Sequence, residues 1–200
     1  MEITKVEIQK NHDNRCNLYL DDEFYAGVSL ELVVKYHLKT GVILEKQELD
    51  NLILEDEKGK ALSKAAKYLG ANLKTKKQLR DYLKKKEYNP QTIDFVISKM
   101  EEYDYLNDEN FAKAYILTYS KKYGKLKLKS ELKLKGVSDE IIDKYLDDFK
   151  SENIESVALK YLKNKERTFD TFQKLSRFLY SRGYEFDDIN ACINSLKGDK

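Results

Sequence analysis

Three stretches of the sequence carry the same apolar register. Leu79, Leu83, Tyr88, Ile93, Ile97 and Met100 recur 49 residues later as Leu128, Leu132, Val137, Ile142, Leu146 and Phe149. After a further 47 residues they recur as Leu175, Leu179, Tyr184, Ile189, Ile193 and Leu196. In each copy an i, i+4 pair, a break and an i, i+4, i+7 set describe two amphipathic helices joined by a turn. Gly136 and Gly183 mark that turn, and Glu87 holds the place in the first copy. A further helical stretch precedes each pair, at about 58–70, 108–122 and 152–165. A three-helix unit of under about 50 residues is marginal alone, so the units should stack.

Helix starts are well marked. Asn89-Pro90 places Pro at the first helical position. Asn107-Asp108-Glu109, Ser138-Asp139-Glu140 and Glu185-Phe186-Asp187-Asp188 put acids on the positive helix end. Paired carboxylates can also be catalytic, but their place at helix starts favours capping.

The first 57 residues follow a different period. Val6 and Ile8 alternate with polar neighbours, as do Cys16, Leu18 and Leu20. The stretch Asn11–Asn14 reads as a turn, with His12 a turn residue, and Asp21-Asp22 as a second turn leading to a strand over 24–28. Ser29 reads as the N-cap of a helix through Leu38 that includes His37, stopped by Gly41, and a second short helix is predicted over about 46–55. The expected fold is therefore mainly α: tandem three-helix repeats forming an elongated rod, straight or curved, with a small N-terminal β-meander plus short helices. The expected division is 1–57, 58–104, 105–150 and 151–200.

Charge follows the same division. Residues 1–57 carry six Lys/Arg against 13 Asp/Glu, and residues 58–200 carry 31 against 22. The basic part is concentrated in 74–86 and 121–135, each with net charge +6. Such clusters let a nearly neutral chain meet an anionic partner. In the second repeat Lys125, Lys129 and Lys133 lie on one helical stripe beside Leu128 and Leu132. The first repeat has Lys76, Arg80 and Lys84 at the same positions, whereas the third has Phe172, Ser176 and Tyr180. Arg177 and Arg182 lie elsewhere on that third helix. A chain with 32 Lys also presents lysine faces that are merely solvated. The position-by-position recurrence is what favours a binding role.

Several classes are disfavoured. No Gly-rich phosphate loop, nucleophile elbow or zinc-protease motif is present. Cys16 and Cys192 are too few and too far apart for a disulfide framework, and read as core residues. With His12 and His37 they form no metal-ligand spacing, so no metal site is expected. No apolar run reaches membrane-spanning length, and the N-terminus lacks the pattern of a secretory signal. A cytoplasmic, non-enzymatic binding protein is expected.

Three segments then carry a family resemblance. They are Tyr105-Leu106-Asn107-Asp108-Glu109-Asn110-Phe111-Ala112 with Tyr115; Lys122-Tyr123-Gly124 with Leu128, Glu131-Leu132 and Lys135-Gly136-Val137; and Asn17–Glu23 with Lys39–Leu44. In order and spacing the chain resembles the RecX regulatory family, modulators of the RecA recombinase, in its longer members with an N-terminal extension. The resemblance implies a protein that binds RecA filaments on single-stranded DNA and limits their extension, ATPase and strand exchange. It implies no cofactor, a monomer, no membrane, and contact with single-stranded DNA directly or through the filament. The candidate binding residues are Lys76, Arg80, Lys84, Lys125, Lys129 and Lys133, with Arg177 and Arg182. Two alternatives stay open: a helical protein whose main ligand is DNA itself, and a small enzyme with its site around Asp21, Asp22 and Glu23.

Overall fold

A computed structural model describes residues 1–10, 12–70, 72–147, 149 and 153–198. The chain divides into two compact units, Met1–Ala71 with Arg80–Tyr103, and Asn72–Leu79 with Asp104–Lys200.

The first unit opens with an antiparallel meander of β1 (Ile3–Gln9), β2 (His12–Leu20) and β3 (Glu23–Ser29). Alternation places Ile3, Cys16, Leu18, Leu20 and Val28 on the buried face, where Leu32, Leu38 and Leu49 close over them. Asp21 and Asp22, at φ 47° and 67°, form the left-handed two-residue turn that suits a twisted hairpin. The expected first turn is shorter than its composition implied. Asn11 lies outside the described residues, and His12, Asp13 and Asn14 belong to β2, with His12 paired to Gln9. Strand pairing takes up the backbone groups that a wider turn would leave unmatched.

Ser29 caps α1 (Leu30–Lys35), its side chain accepting the Leu32 N–H. That helix is shorter than the expected run to Leu38. His37 is not helical but left-handed at φ 51°, with its N–H on the Val34 carbonyl and the Leu38 N–H on Val33. This termination turns Leu38 into the core, and residues 41–43 then pair along the edge of β1.

The expected short helix at 46–55 and the helix at 58–70 are one element, α2 (Lys46–Leu69). Residue 57 lies inside it, so the change in charge marks no break in secondary structure. Gly59 alone costs about 1 kcal/mol in a helix, too little to end one supported on both sides. Across this point Lys58 pairs with Glu55, and Lys60 with Asp56.

The repeats follow as α3 (Lys76–Lys85) and α4 (Pro90–Glu102); α5 (Asp108–Tyr119), α6 (Lys125–Leu134) and α7 (Asp139–Leu146); and α8 (Ile154–Leu162), α9 (Phe169–Ser181) and α10 (Phe186–Gly198). Residue 152 of the expected third-repeat start lies outside the described residues. No strand falls between 75 and 195 among the described residues. Sixteen of the eighteen register positions are buried, and Tyr88 and Phe149 are half-buried.

The middle helix of each repeat ends in one motif. Glu87, Gly136 and Gly183 are left-handed, at φ 62°, 87° and 81°. Their N–H groups bond the carbonyls of Lys84, Lys133 and Tyr180, while those of Tyr88, Val137 and Tyr184 reach back to Leu83, Leu132 and Leu179. This is the Schellman termination, with its apolar contact supplied by the repeat register itself. Glu87 is exposed in a backbone conformation that favours glycine. Glu87→Gly should therefore stabilise the protein by about 0.5–1 kcal/mol, read as a rise in the urea midpoint at unchanged slope.

The two glycines have a second role, inside the second unit. Gly183 lies against the start of α6, where the Gly124 N–H donates to the Arg182 carbonyl and the Leu126 N–H to that of Gly183, each at 3.0 Å. Gly136 lies against Lys77, where the Thr75 hydroxyl donates to the Lys135 carbonyl and Lys77 Nζ to that of Leu134. The C-terminal turn of one middle helix thus sits on the N-terminal turn of the preceding one, its spare carbonyls accepting backbone N–H groups at α6 and side-chain donors at α3.

Candidate binding surfaces

The lysine stripes lie where the 3.6 period places them, but they are not bare cation rows. Arg80 pairs with Asp94 at 2.7 Å. Lys129 pairs with Asp143, 49 residues further on in both members, so the bridge itself repeats. The third repeat has Ser176 and Asn190 at these places. Lys133 pairs with Asp139 at 2.6 Å, and Lys125 Nζ donates to the Asp147 carbonyl at 3.2 Å. The Lys129 bond raises that lysine's pKa and holds the Asp143 carboxyl below its ordinary range. Lys76 is exposed, and its backbone N–H donates to Asp108 at 2.8 Å. Lys84 is exposed without an ion pair among the described residues. The stripes therefore present cations alternating with carboxylates from the following helix, a mixed surface rather than a polyanion track.

Arg177 is exposed on α9. Arg182, at the end of that helix, is held over the rings of Phe178 and Tyr123, at 5.0 and 5.6 Å from their centroids. It lines a groove of about 350 Å³ with Lys121, Lys122, Lys160, Tyr161 and Phe178. Lys160 escaped the repeat reading because α5, α8 and α9 meet only in the folded unit. The i, i+4 series Phe111, Tyr115, Tyr119 and Tyr123 packs on the core of the second repeat, and its last ring lies under Arg182.

The acidic helix starts serve local structure. The Asn107 side chain accepts the N–H groups of Glu109 and Asn110. Glu109 binds Lys144 and Tyr145, whose hydrogen bonds hold its carboxyl down at about 2. Ser138 caps α7 and Asn89 caps α4. Asp21, Asp22 and Glu23 are exposed around the hairpin turn. Both cysteines are buried, and burial pushes their thiols up. Among the described residues no group of His, Cys, Asp and Glu is placed to hold a metal ion. No helix among them is long and apolar enough to cross a membrane.

Three-helix repeats with charged faces on exposed helices define a helical-repeat protein. Comparison with known proteins places the class. The family models that match are the regulatory protein RecX N-terminal domain over residues 1–45 and the first, second and third RecX three-helix domains over 61–100, 107–146 and 148–193. The chain belongs to the RecX regulatory protein family. It is 36% identical over 203 residues to regulatory protein RecX of Clostridium tetani, covering 98% of this chain and 94% of that one. It is 33% identical over 203 residues to regulatory protein RecX of Bacillus subtilis, covering 98% and 77%. The fold matches a crystal structure of regulatory protein RecX with TM-score 0.68 and 22% identity, over 97% of this chain and 98% of that chain. A crystal structure of RecX from Lactobacillus salivarius matches with TM-score 0.64 and 25% identity, over 72% and 98%.

Proposed function

We propose that this chain is a cytoplasmic, non-enzymatic regulator that binds RecA filaments on single-stranded DNA as a monomer and limits their extension, ATPase and strand exchange. The observation that carries this reading is the match to four successive RecX domains together with the recurrence of the basic stripe and its ion pairs in two repeats. Lys76, Arg80, Lys84, Lys125, Lys129 and Lys133 are proposed to face the recombinase, with Arg177 and Arg182 as further contacts. Alternating cations and carboxylates suit a protein surface, where charge pattern sets orientation and encounter rate. The ATP chemistry belongs to the recombinase, so no cofactor is assigned here.

The test is a RecA ATPase assay on single-stranded DNA with this protein titrated in. ATPase should fall as the protein is added, and an unchanged rate would end the reading. Replacing the six stripe residues by Gln should raise the half-inhibitory concentration by about tenfold or more, while the helical spectrum is kept. Gln is the better replacement, because Glu at 129 or 133 would face Asp143 or Asp139. Full potency of the six-fold variant would move the recombinase contact elsewhere.

A further inference from the structure

We propose that the third repeat carries a docking pocket for the carboxyl end of a partner polypeptide whose last side chain is apolar. The pocket lies between the start of α9 and the end of α10, within the second unit. It shares no residue with the stripes, and the proposal does not depend on the regulatory reading.

Apolar surface is the first ground. The pocket has a volume of about 320 Å³ and is lined by Arg167, Phe169, Phe172, Leu196 and Lys197. Phe172 and Leu196 are buried, whereas Phe169 is 73% exposed. A phenylalanine left in water forgoes the burial that this side chain ordinarily contributes to a fold. The repeat architecture does not require it. Where the third repeat has Phe169 and Phe172, the register places Lys122 and Lys125 in the second and Leu73 and Lys76 in the first. The volume is at the small end of ligand sites, enough for one side chain and the chain end that bears it.

Charge is the second ground, and it selects the occupant. Arg167 and Lys197 are exposed on the pocket wall, one just before α9 and the other on α10. Arg167 Nη1 donates to the Leu196 carbonyl at 3.2 Å, which holds the guanidinium beside the pocket. Lys197 Nζ stands 5.3 Å from the centroid of the Phe172 ring. Neither cation forms an ion pair among the described residues, whereas Lys174 on α9 is paired with Asp170 at 2.7 Å. Two cations beside an apolar surface, without counter-charge, complement a carboxylate joined to an apolar group. The last residue of a polypeptide carries both on one carbon, and capture of that carboxylate is a recurring mode of peptide recognition. Inside an acidic segment the two groups belong to different residues, so only a chain end brings both into so small a space.

The test titrates the full chain, without recombinase or nucleic acid, with a glycine–serine hexapeptide ending in phenylalanine and a free carboxylate. Amide chemical shifts of the isotope-labelled protein report binding. The peptide should bind with a Kd of about 1 mM or tighter, the scale expected for about a dozen contacting atoms. The signals of Phe169, Phe172 and Lys197 should respond first. The same peptide with an amidated end should bind about fivefold more weakly or worse, as should one ending in alanine. Arg167→Gln with Lys197→Gln should bring the acid and amide peptides within about twofold of each other. Phe169→Gln should weaken the acid peptide about fivefold or more and leave the melting temperature nearly unchanged, because the ring it removes is exposed.

Equal affinity of the parent chain for the acid and amide peptides would overturn the proposal. So would a Phe169→Gln chain that binds as the parent does. Octanoate binding more tightly than the peptide would make the occupant a free acyl acid and end the reading as a protein dock. Displacement of the peptide by equimolar oligothymidylate would make it nucleic acid, with the same result. The assay contains no recombinase, so its failure leaves the regulatory reading standing, and the failure of that reading leaves this one.

Discussion

Gly183→Ala should destabilise the protein by about 3 kcal/mol or more, while Glu87→Ala should change stability by less than about 0.5 kcal/mol. The two positions have the same left-handed backbone and the same hydrogen-bonded termination. They differ in what lies beside them. A Cβ on Gly183 would overlap the backbone of Lys127, which cannot swing aside. Glu87 already carries a Cβ and is exposed. At 87 the difference between Gly and Ala measures conformational strain alone, and the excess of the same difference at 183 measures the close approach that Gly183 makes. Gly124→Ala presses on the same contact from the other side, against the backbone of Gly183 and Tyr184, and should cost as much. Urea unfolding measures all three. A Gly-to-Ala difference at 183 no larger than that at 87 would show that strain alone sets the cost.

Asp56→Ala should cost about 2–3 kcal/mol at neutral pH, with the loss shrinking in acid. The Asp56 side chain is 11% exposed and ties three groups together. It accepts the Ser29 N–H at 3.1 Å, the Ser29 hydroxyl and the Lys60 ammonium. Ser29 in turn caps α1, so removing the carboxylate loosens both a helix cap and the seat of β3 on α2. Burial works against the charge on Asp56, but the bonds from Lys60 and Ser29 outweigh it and hold its pKa below the ordinary carboxylate range. A depressed folded-state pKa gives stability that is complete above the unfolded-state value and lost as pH falls through the folded one. The melting difference between Asp56→Ala and the parent should therefore be largest near pH 7 and close as pH falls below about 4. A difference that stays constant down to pH 3 would remove the carboxylate's charge from the explanation. Asp56→Asn should keep part of the bonding and none of the pH dependence.

The repeat was legible because burial leaves a mark at each position it governs. Leu79, Leu128 and Leu175 are each fully buried, and no polar residue fits such a place. Backbone geometry leaves a weaker mark. Glu87 hides a termination that Gly136 and Gly183 advertise, because an exposed left-handed turn tolerates Glu at modest cost. The continuity of α2 was hidden by an acidic-to-basic change that helical hydrogen bonding ignores. The pairing of Asp94 with Arg80 and of Asp143 with Lys129 leaves no mark in the sequence, because the partners meet only in space. The groove drew on three helices whose order along the chain carries no record of their meeting.

The docking of one middle helix on the next gives the array a grammar with a direction. Each junction needs a residue without a side chain where the incoming turn arrives, as Gly136 and Gly183 provide. Glu87 carries a side chain at the corresponding place. Glu87 thus acts as punctuation: an array of this kind cannot be extended past that turn by duplication without rewriting it.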